Sequence, residues 1–306
     1  MPETFTFATY NLYNYLRQHP REHPDETARY DAVAAVIRDL DADIVAVQEV
    51  CHPAGLEILA KATGMTGVYQ PAWADEDDAE ADRWAFTPGQ HGFGLGLLWR
   101  TCDWIVPDPR SFRVYGPGEM WHGLAALTLT IRGERISVAS YHAPPFGQNR
   151  REDEAERLVA ILTRALGGAA LLGGDMNTTP ATRAPGGAGW YDPDPYQGVE
   201  WYSDMIYQCD WTPTPDGQRA GTANRRAADI LLGGGLHDTA ALAEAPWAPT
   251  TGHHPDDDYA QRGLWRRIDL IHATDALTGR VTGHRVRDNQ AAREASDHLP
   301  VTVTIT

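Results

Sequence analysis

The sequence predicts an α/β fold in which sheets are sandwiched between helical layers. Three observations lead there. Short apolar or β-rich runs alternate with segments of helical period along the 306 residues. Many of those runs end on a polar residue, as strands do when they reach a sheet edge that carries chemistry. An apolar content of 42% is ordinary and sufficient for a sizeable core. There is no short fixed repeat and no evident linker, so residues 1–306 read as a single domain.

Taken in order, FTFATY at 5–10 is a strand with alternating aromatics. A helix follows from Asp25 to Leu40, with Tyr30, Val33, Ile37 and Leu40 on one face. DIVAVQE at 43–49 is a buried strand ending on a carboxylate, and a short helix over 54–62 stops at Gly64. Residues 73–92 begin polar and acidic and read as a surface loop. GQHGFGLG at 89–96 is glycine-rich but precedes no helix, so it reads as a turn into a strand rather than a phosphate loop. Strands are expected at 94–100, 124–131 and 135–142. The best helix spans 151–166, where Ala155, Leu158, Val159, Leu162 and Leu166 form a stripe closed by Gly167. ALLGGDMN is the next strand. Residues 180–227 are rich in Pro, Gly and aromatics without a clean period, a long ordered excursion. ADILLGG at 228–234 reads as a strand, as do RRIDLIHAT at 266–274, the run near 281–286, and the end of SDHLPVTVTI. HHPDDD at 253–258 reads as a solvated loop, with a second metal site the lesser alternative, and His122 as a structural histidine at a strand start, with a place near the site the lesser alternative.

Composition excludes several classes. The formal net charge is −16, from 26 basic and 42 acidic residues, and Lys61 is the one lysine. No basic run exceeds a dipeptide, which argues against tight non-specific binding of duplex DNA. Cys51, Cys102 and Cys209 are odd in number and follow no zinc spacing, so no disulfide framework is expected. No apolar run approaches a membrane span, and the N-terminal stretch lacks the pattern of a secretory leader. A cytoplasmic protein with no membrane and no protein partner is the expectation.

The polar residues at strand ends are Asn11, Glu49, His142, Asp175, Asn177, Asp269, Asp297 and His298. One such residue is unremarkable. A set confined to carboxylates, amides and imidazoles suggests a shared edge where they converge. In LLGGDMNT, Asp175 and Asn177 lie two apart and would share a face of an extended chain. Hydrolysis of a phosphoester needs in-line attack, neutralised non-bridging oxygens and a stabilised leaving oxygen. Carboxylates suit a hard cation, Mg²⁺ or Mn²⁺, and a carboxylate-oriented histidine suits proton donation.

TYNLYN, DIVAVQE, SYHAPP, GGDMNTTP, RRIDLI and SDHLPV occur in an order that resembles the endonuclease/exonuclease/phosphatase superfamily, from residue 7 to 303. The resemblance implies a four-layered α/β sandwich: two packed mixed β-sheets flanked by helices. It makes Glu49 a metal-binding carboxylate, with Asn11 at the metal shell or phosphate and Asp297 as a second metal-side carboxylate. Asp175 orients or deprotonates the attacking water, and Asn177 holds that water and the phosphate. His142 matches the phosphate-contacting histidine of the deoxyribonuclease I and sphingomyelinase branches, where apurinic endonucleases carry a tyrosine motif. Asp269 orients His298. The glycines of LLGGD would let the backbone turn close to a phosphate.

The implied activity is divalent-metal-dependent hydrolysis of a phosphodiester, nuclease-like in character. The alternative is a phosphomonoesterase acting on a small phosphorylated metabolite, and a non-catalytic binding protein on the same fold is a distant third. The partner is then a phosphoester, small molecule or nucleic acid. Specificity would come from 73–92 and 180–227, with Arg225 and Arg226 as a phosphate clamp and Trp201 among the aromatics that stack on a base or sugar.

Overall fold

In the computed structural model, residues 4–17, 24–71, 82–184, 186–255 and 258–306 are described. Two seven-stranded mixed sheets lie face to face. The first is built on Phe5–Tyr15, which pairs antiparallel with Val301–Ile305 and parallel with Ile44–Val50. Ile44–Val50 pairs in turn with Gly94–Arg100. The second runs through Gly123–Ile131, Glu134–His142, Ala170–Asp175 and Asp269–Thr274.

Period-two alternation decides which side chains meet between the sheets. Phe5 and Phe7, Ile44 and Ala46, Leu127 and Leu129, Ile136 and Val138, Leu171 and Ile271 share that inner core. The opposite faces are covered by helices. Pro24–Leu40 and Pro53–Thr63 lie on the first sheet through Val33, Ile37, Leu56 and Leu59. Gln148–Ala160 and Arg226–Gly233 lie on the second through Ala155, Leu158 and Leu231. Helix, sheet, sheet and helix give the four layers expected. The Pro53–Thr63 helix starts on the ring of His52, which accepts from the Ala54 amide at 3.1 Å, and stops at Gly64 with φ +72°.

Several local expectations change. The run at 228–234, expected as a strand, falls in the helix Arg226–Gly233 and its cap Gly234, because Ala227, Ala228 and Leu231 bury one face while Asp229 is exposed. The first strand continues past Tyr10 to Tyr15 through an irregularity. The best helix begins at Gln148 and its last turn, Ile161–Ala165, is a π-turn. The expected loop at 73–92 lies outside the described residues up to Ala81. Beyond that it forms short strands, Arg83–Trp84 and Phe86–Thr87. In RRIDLIHAT only Asp269 onward is strand.

The glycines of LLGGD serve packing, not a turn. A β-carbon at Gly173 would sit 2.9 Å from Phe7 and Thr9 of the facing sheet, and one at Gly174 would collide with the Tyr141 carbonyl. The excursion at 180–227 holds the turn Ser203–Tyr207 and the hairpin Cys209–Pro213 with Arg219–Ala223, over a small core of Tyr196, Met205, Cys209 and Leu264. Arg267 anchors it to the second sheet, pairing Asp192 at 2.6 Å and Asp238 at 2.5 Å.

Candidate active site

The strand register collects the predicted residues. His142 is paired with Asp175, and Asp175 with Asp269, so three neighbouring strands present them in one row. Each continues the inner-face alternation of its strand: Val138 to His142, Leu171 to Asp175, Ile271 to Asp269. Asn11 does the same in the first sheet, following Phe7 and Thr9. Polar side chains thus occupy the inner face just where the apolar core ends.

Glu49 needs a different device. In Ile44–Val50, Ile44 and Ala46 face the other sheet and Val45 and Val47 face the helices. Gln48 points inward, donating to Ser140 Oγ at 2.9 Å. Regular alternation would bury Glu49 under the helices. Its φ is +60° and the register jumps from Gln48 to Val50, so Val50 takes the helix-facing place and Glu49 is turned out at the edge.

Asn11 joins the sheets. Its Nδ2 donates to Glu49 Oε1 at 3.2 Å and to Asp175 Oδ2 at 3.3 Å. The Asn14 amide donates to Glu49 Oε2 at 2.8 Å. His142 Nε2 and His298 Nε2 approach Asp175 Oδ2 at 3.5 and 3.8 Å. His298 Nδ1 is held by both Asp269 oxygens, at 2.8 and 2.9 Å. Asn177 reaches the site by a turn rather than by strand pleat. The strand ends at Asp175, Asn177 has φ +45°, its amide donates to Asp175 Oδ1 at 2.9 Å, and its Nδ2 donates to the Ala143 carbonyl.

Electrostatics separates these groups. Burial pushes the Asp175 carboxyl up to about 7, against the pull of His298. Burial also raises Glu49, and the Asp297 carboxylate adds to that. For His298 burial works downward, but Asp269, Asp297 and Asp175 outweigh it and hold the imidazole well above its ordinary value. His142 moves the other way, lowered by burial and by His122 and His298.

A hard cation fits this donor set. Glu49 and Asp297 are close enough to disfavour each other's charge, which a dication relieves, and the nearby donors are oxygen-rich. Asp175, Asp269 and His298 also have ligating atoms within 4.8 Å of one another, though His298 Nδ1 is engaged by Asp269.

The proposed substrate residues are engaged by other groups of the protein. Arg225 is buried, donating to the carbonyls of Pro180 and Asp192. Arg226 is exposed and pairs Glu152 at 3.2 Å. The two point apart, so they form no clamp as a pair. Trp201 packs against the small core of the excursion, edge-on to Trp211. In HHPDDD, Asp256 and Asp257 fall outside the described residues, and His253 bonds the Ser296 carbonyl at 3.0 Å.

Three supports lie outside the set of strand-end residues. Ser296 donates to the Asn11 carbonyl at 2.8 Å and accepts from the His298 amide at 3.1 Å. Its place in SDHLP was the available signal. Thr250 Oγ accepts from the amides of Ile268 and Asp269, and nothing in its sequence context marks it. His122 stacks on His142, ring centroids 4.2 Å apart, and its place just before a strand was the hint.

Residues 8–298 match the Endonuclease/Exonuclease/phosphatase family. The chain belongs to that family, whose members are hydrolases acting on phosphoesters and generally use divalent metals. Solved structures with the same fold include an endonuclease/exonuclease/phosphatase from Bacteroides vulgatus, 15% identical, with a TM-score of 0.64 and 99% of each chain covered. A mannosyl-6-phosphatase from Bacteroides thetaiotaomicron is 17% identical, with a TM-score of 0.58, covering 99% of this chain and 100% of that one. Truncated TDP2 from Caenorhabditis elegans is 14% identical, with a TM-score of 0.57, covering 99% and 97%. No curated protein matches the chain. Among the described residues no helix is long and apolar enough to cross a membrane.

Proposed function

We propose that the chain, acting as one domain, is a divalent-metal-dependent phosphodiesterase that hydrolyses its substrate by in-line attack of water, nuclease-like in character. One observation carries the reading: a single amide, Asn11 Nδ2, touches a carboxylate from each sheet, Glu49 and Asp175, beside a histidine clamped by Asp269. Glu49, Asn11 and Asp297 would hold Mg²⁺ or Mn²⁺. The ion would neutralise the non-bridging oxygens as charge develops.

The protein's own groups divide the remaining work. Asp175, raised to about 7, is a suitable base to orient and deprotonate the water, and its position is fixed by Asn11 and the Asn177 amide. Asn177 helps to hold that water and the phosphate. His142 faces the phosphate. His298, protonated and held by Asp269, donates to the leaving oxygen or stabilises its charge. The three free cysteines suit a reducing cytoplasm.

A second reading, a phosphomonoesterase for a compact substrate, is favoured by charge. The net charge is −16, and of the adjacent arginine pair one is turned inward and the other meets Glu152. The mannosyl-6-phosphatase relative fits that reading by its name. The test is turnover of bis-p-nitrophenyl phosphate, p-nitrophenyl phosphate, plasmid DNA and a single-stranded oligonucleotide with Mg²⁺ or Mn²⁺, with Asp175→Ala alongside. Turnover of diesters alone supports the first reading, and of the monoester alone the second. No cleavage, or full activity in Asp175→Ala, refutes both.

A further inference from the structure

The two histidines that approach Asp175 are oriented by different means. His298 has a carboxylate on Nδ1. His142 has none: its Nδ1 is buried without a hydrogen-bond partner, and its Nε2 meets Asp175 only at 3.5 Å. Hydrogen bonding therefore does not fix the plane of the His142 ring. What lies flat against it is His122, at 4.2 Å between centroids and 22° between planes.

His122 is itself well held. Its Nδ1 has no partner, and Phe93 meets the ring edge-on at 5.2 Å and 85°. It is 3% exposed. The next residue, Gly123, is paired with His142 across the strands and has φ +119°, a conformation that L side chains rarely adopt. A β-carbon there would also come within 2.9 Å of Thr87.

We propose that His122 is a positioning residue, whose stacked ring holds the His142 imidazole in the plane from which Nε2 faces Asp175 and the substrate phosphate. The functional part of this rests on the phosphoesterase reading above; the positional part does not. The stack does for His142 what Asp269 does for His298. A flat ring at 122 should suffice, so Phe should substitute for His, and Ala should not.

The test is a double-mutant cycle read in kcat/KM on whichever phosphoester the wild type turns over, joined to crystal structures of the variants. His122→Ala should lose about tenfold to a hundredfold, the scale set by small misplacements of reacting groups. His122→Phe should recover to within a few fold. In a His142→Ala background, His122→Ala should cost nothing more, because its effect passes through a ring no longer present. An equal loss in both backgrounds makes His122 a merely structural residue and overturns the proposal. The crystal structure of His122→Ala should show the His142 ring rotated or split over two orientations. A ring unmoved, with its approach to Asp175 intact, overturns the proposal whether or not the enzyme cleaves any phosphoester tested. A wild type without activity removes the phosphoesterase reading and leaves that structural outcome to decide.

Discussion

Replacing Arg267 with methionine removes the countercharge from two buried carboxylates while keeping a long side chain. In the native protein the guanidinium makes four N–H···O contacts to Asp192 and Asp238, between 2.5 and 3.1 Å. All three residues are 3% exposed. Asp238 feels burial upward but is held down at about 2 by Arg267, while burial prevails at Asp192, which is raised. Removing one partner of such a network costs about 3–5 kcal/mol, because the remaining charge stays buried. An unfolding entropy near 2.1 cal/mol/K per residue, over 306 residues, turns that into a fall in Tm of roughly 5–8 °C. The deficit should also depend on pH. Without Arg267 both carboxyls sit above their unfolded value near 3.9, so the folded variant keeps protons that the unfolded chain releases. Stability of the variant therefore falls as pH rises above about 4, and the gap to wild type widens. Calorimetry at pH 5 and pH 8 measures both effects. A Tm within about 1 °C of wild type, or a gap no larger at pH 8, refutes the account.

Three further outcomes are expected. Glu49→Gln should raise the Mg²⁺ or Mn²⁺ concentration for half-maximal activity, and an unchanged titration takes Glu49 out of the metal shell. His298→Ala should lower kcat on the order of 10²-fold or more; a negligible loss in steady-state turnover removes it from the chemistry. Burial lowers His272 to about 4, against 6.5 when free. The unfolded chain thus takes a proton that the folded one refuses, and stability should drop by about 3 kcal/mol in all as pH falls through that window. Urea titrations at pH 7 and pH 5 span part of that window and should show a drop about 2 kcal/mol larger in wild type than in His272→Asn, and equal drops count against the idea.

The layers and the row His142, Asp175, Asp269 were legible because period-two alternation is written in the residues themselves. A polar group following an inner apolar one, as at Leu171, Gly173 and Asp175, declares its face. Glu49 was legible as the carboxylate at a strand end, but not the way it is turned. Its outward turn depends on a positive φ within a strand, which a run of Val, Ala and Gln does not announce. The helix Arg226–Gly233 was misread because ADILLGG has only four apolar side chains, too few to separate the two periods. Arg225 looked like a clamp because sequence shows charge, whereas its carbonyl partners come from residues 180 and 192.

The amide of Asn11 acts as a calliper closed on two jaws, one carboxylate from each sheet. Catalytic competence then becomes a gauge of the gap between the sheets. Gln48 to Ser140 at 2.9 Å, together with the methylenes packed behind it, sets that gap. A cavity opened at Leu127 or Val138 in the inner core would loosen the jaws before it melted the fold. Activity in such variants should decline while the secondary structure is intact, so the inner core serves as the site's spacer as much as the protein's ballast.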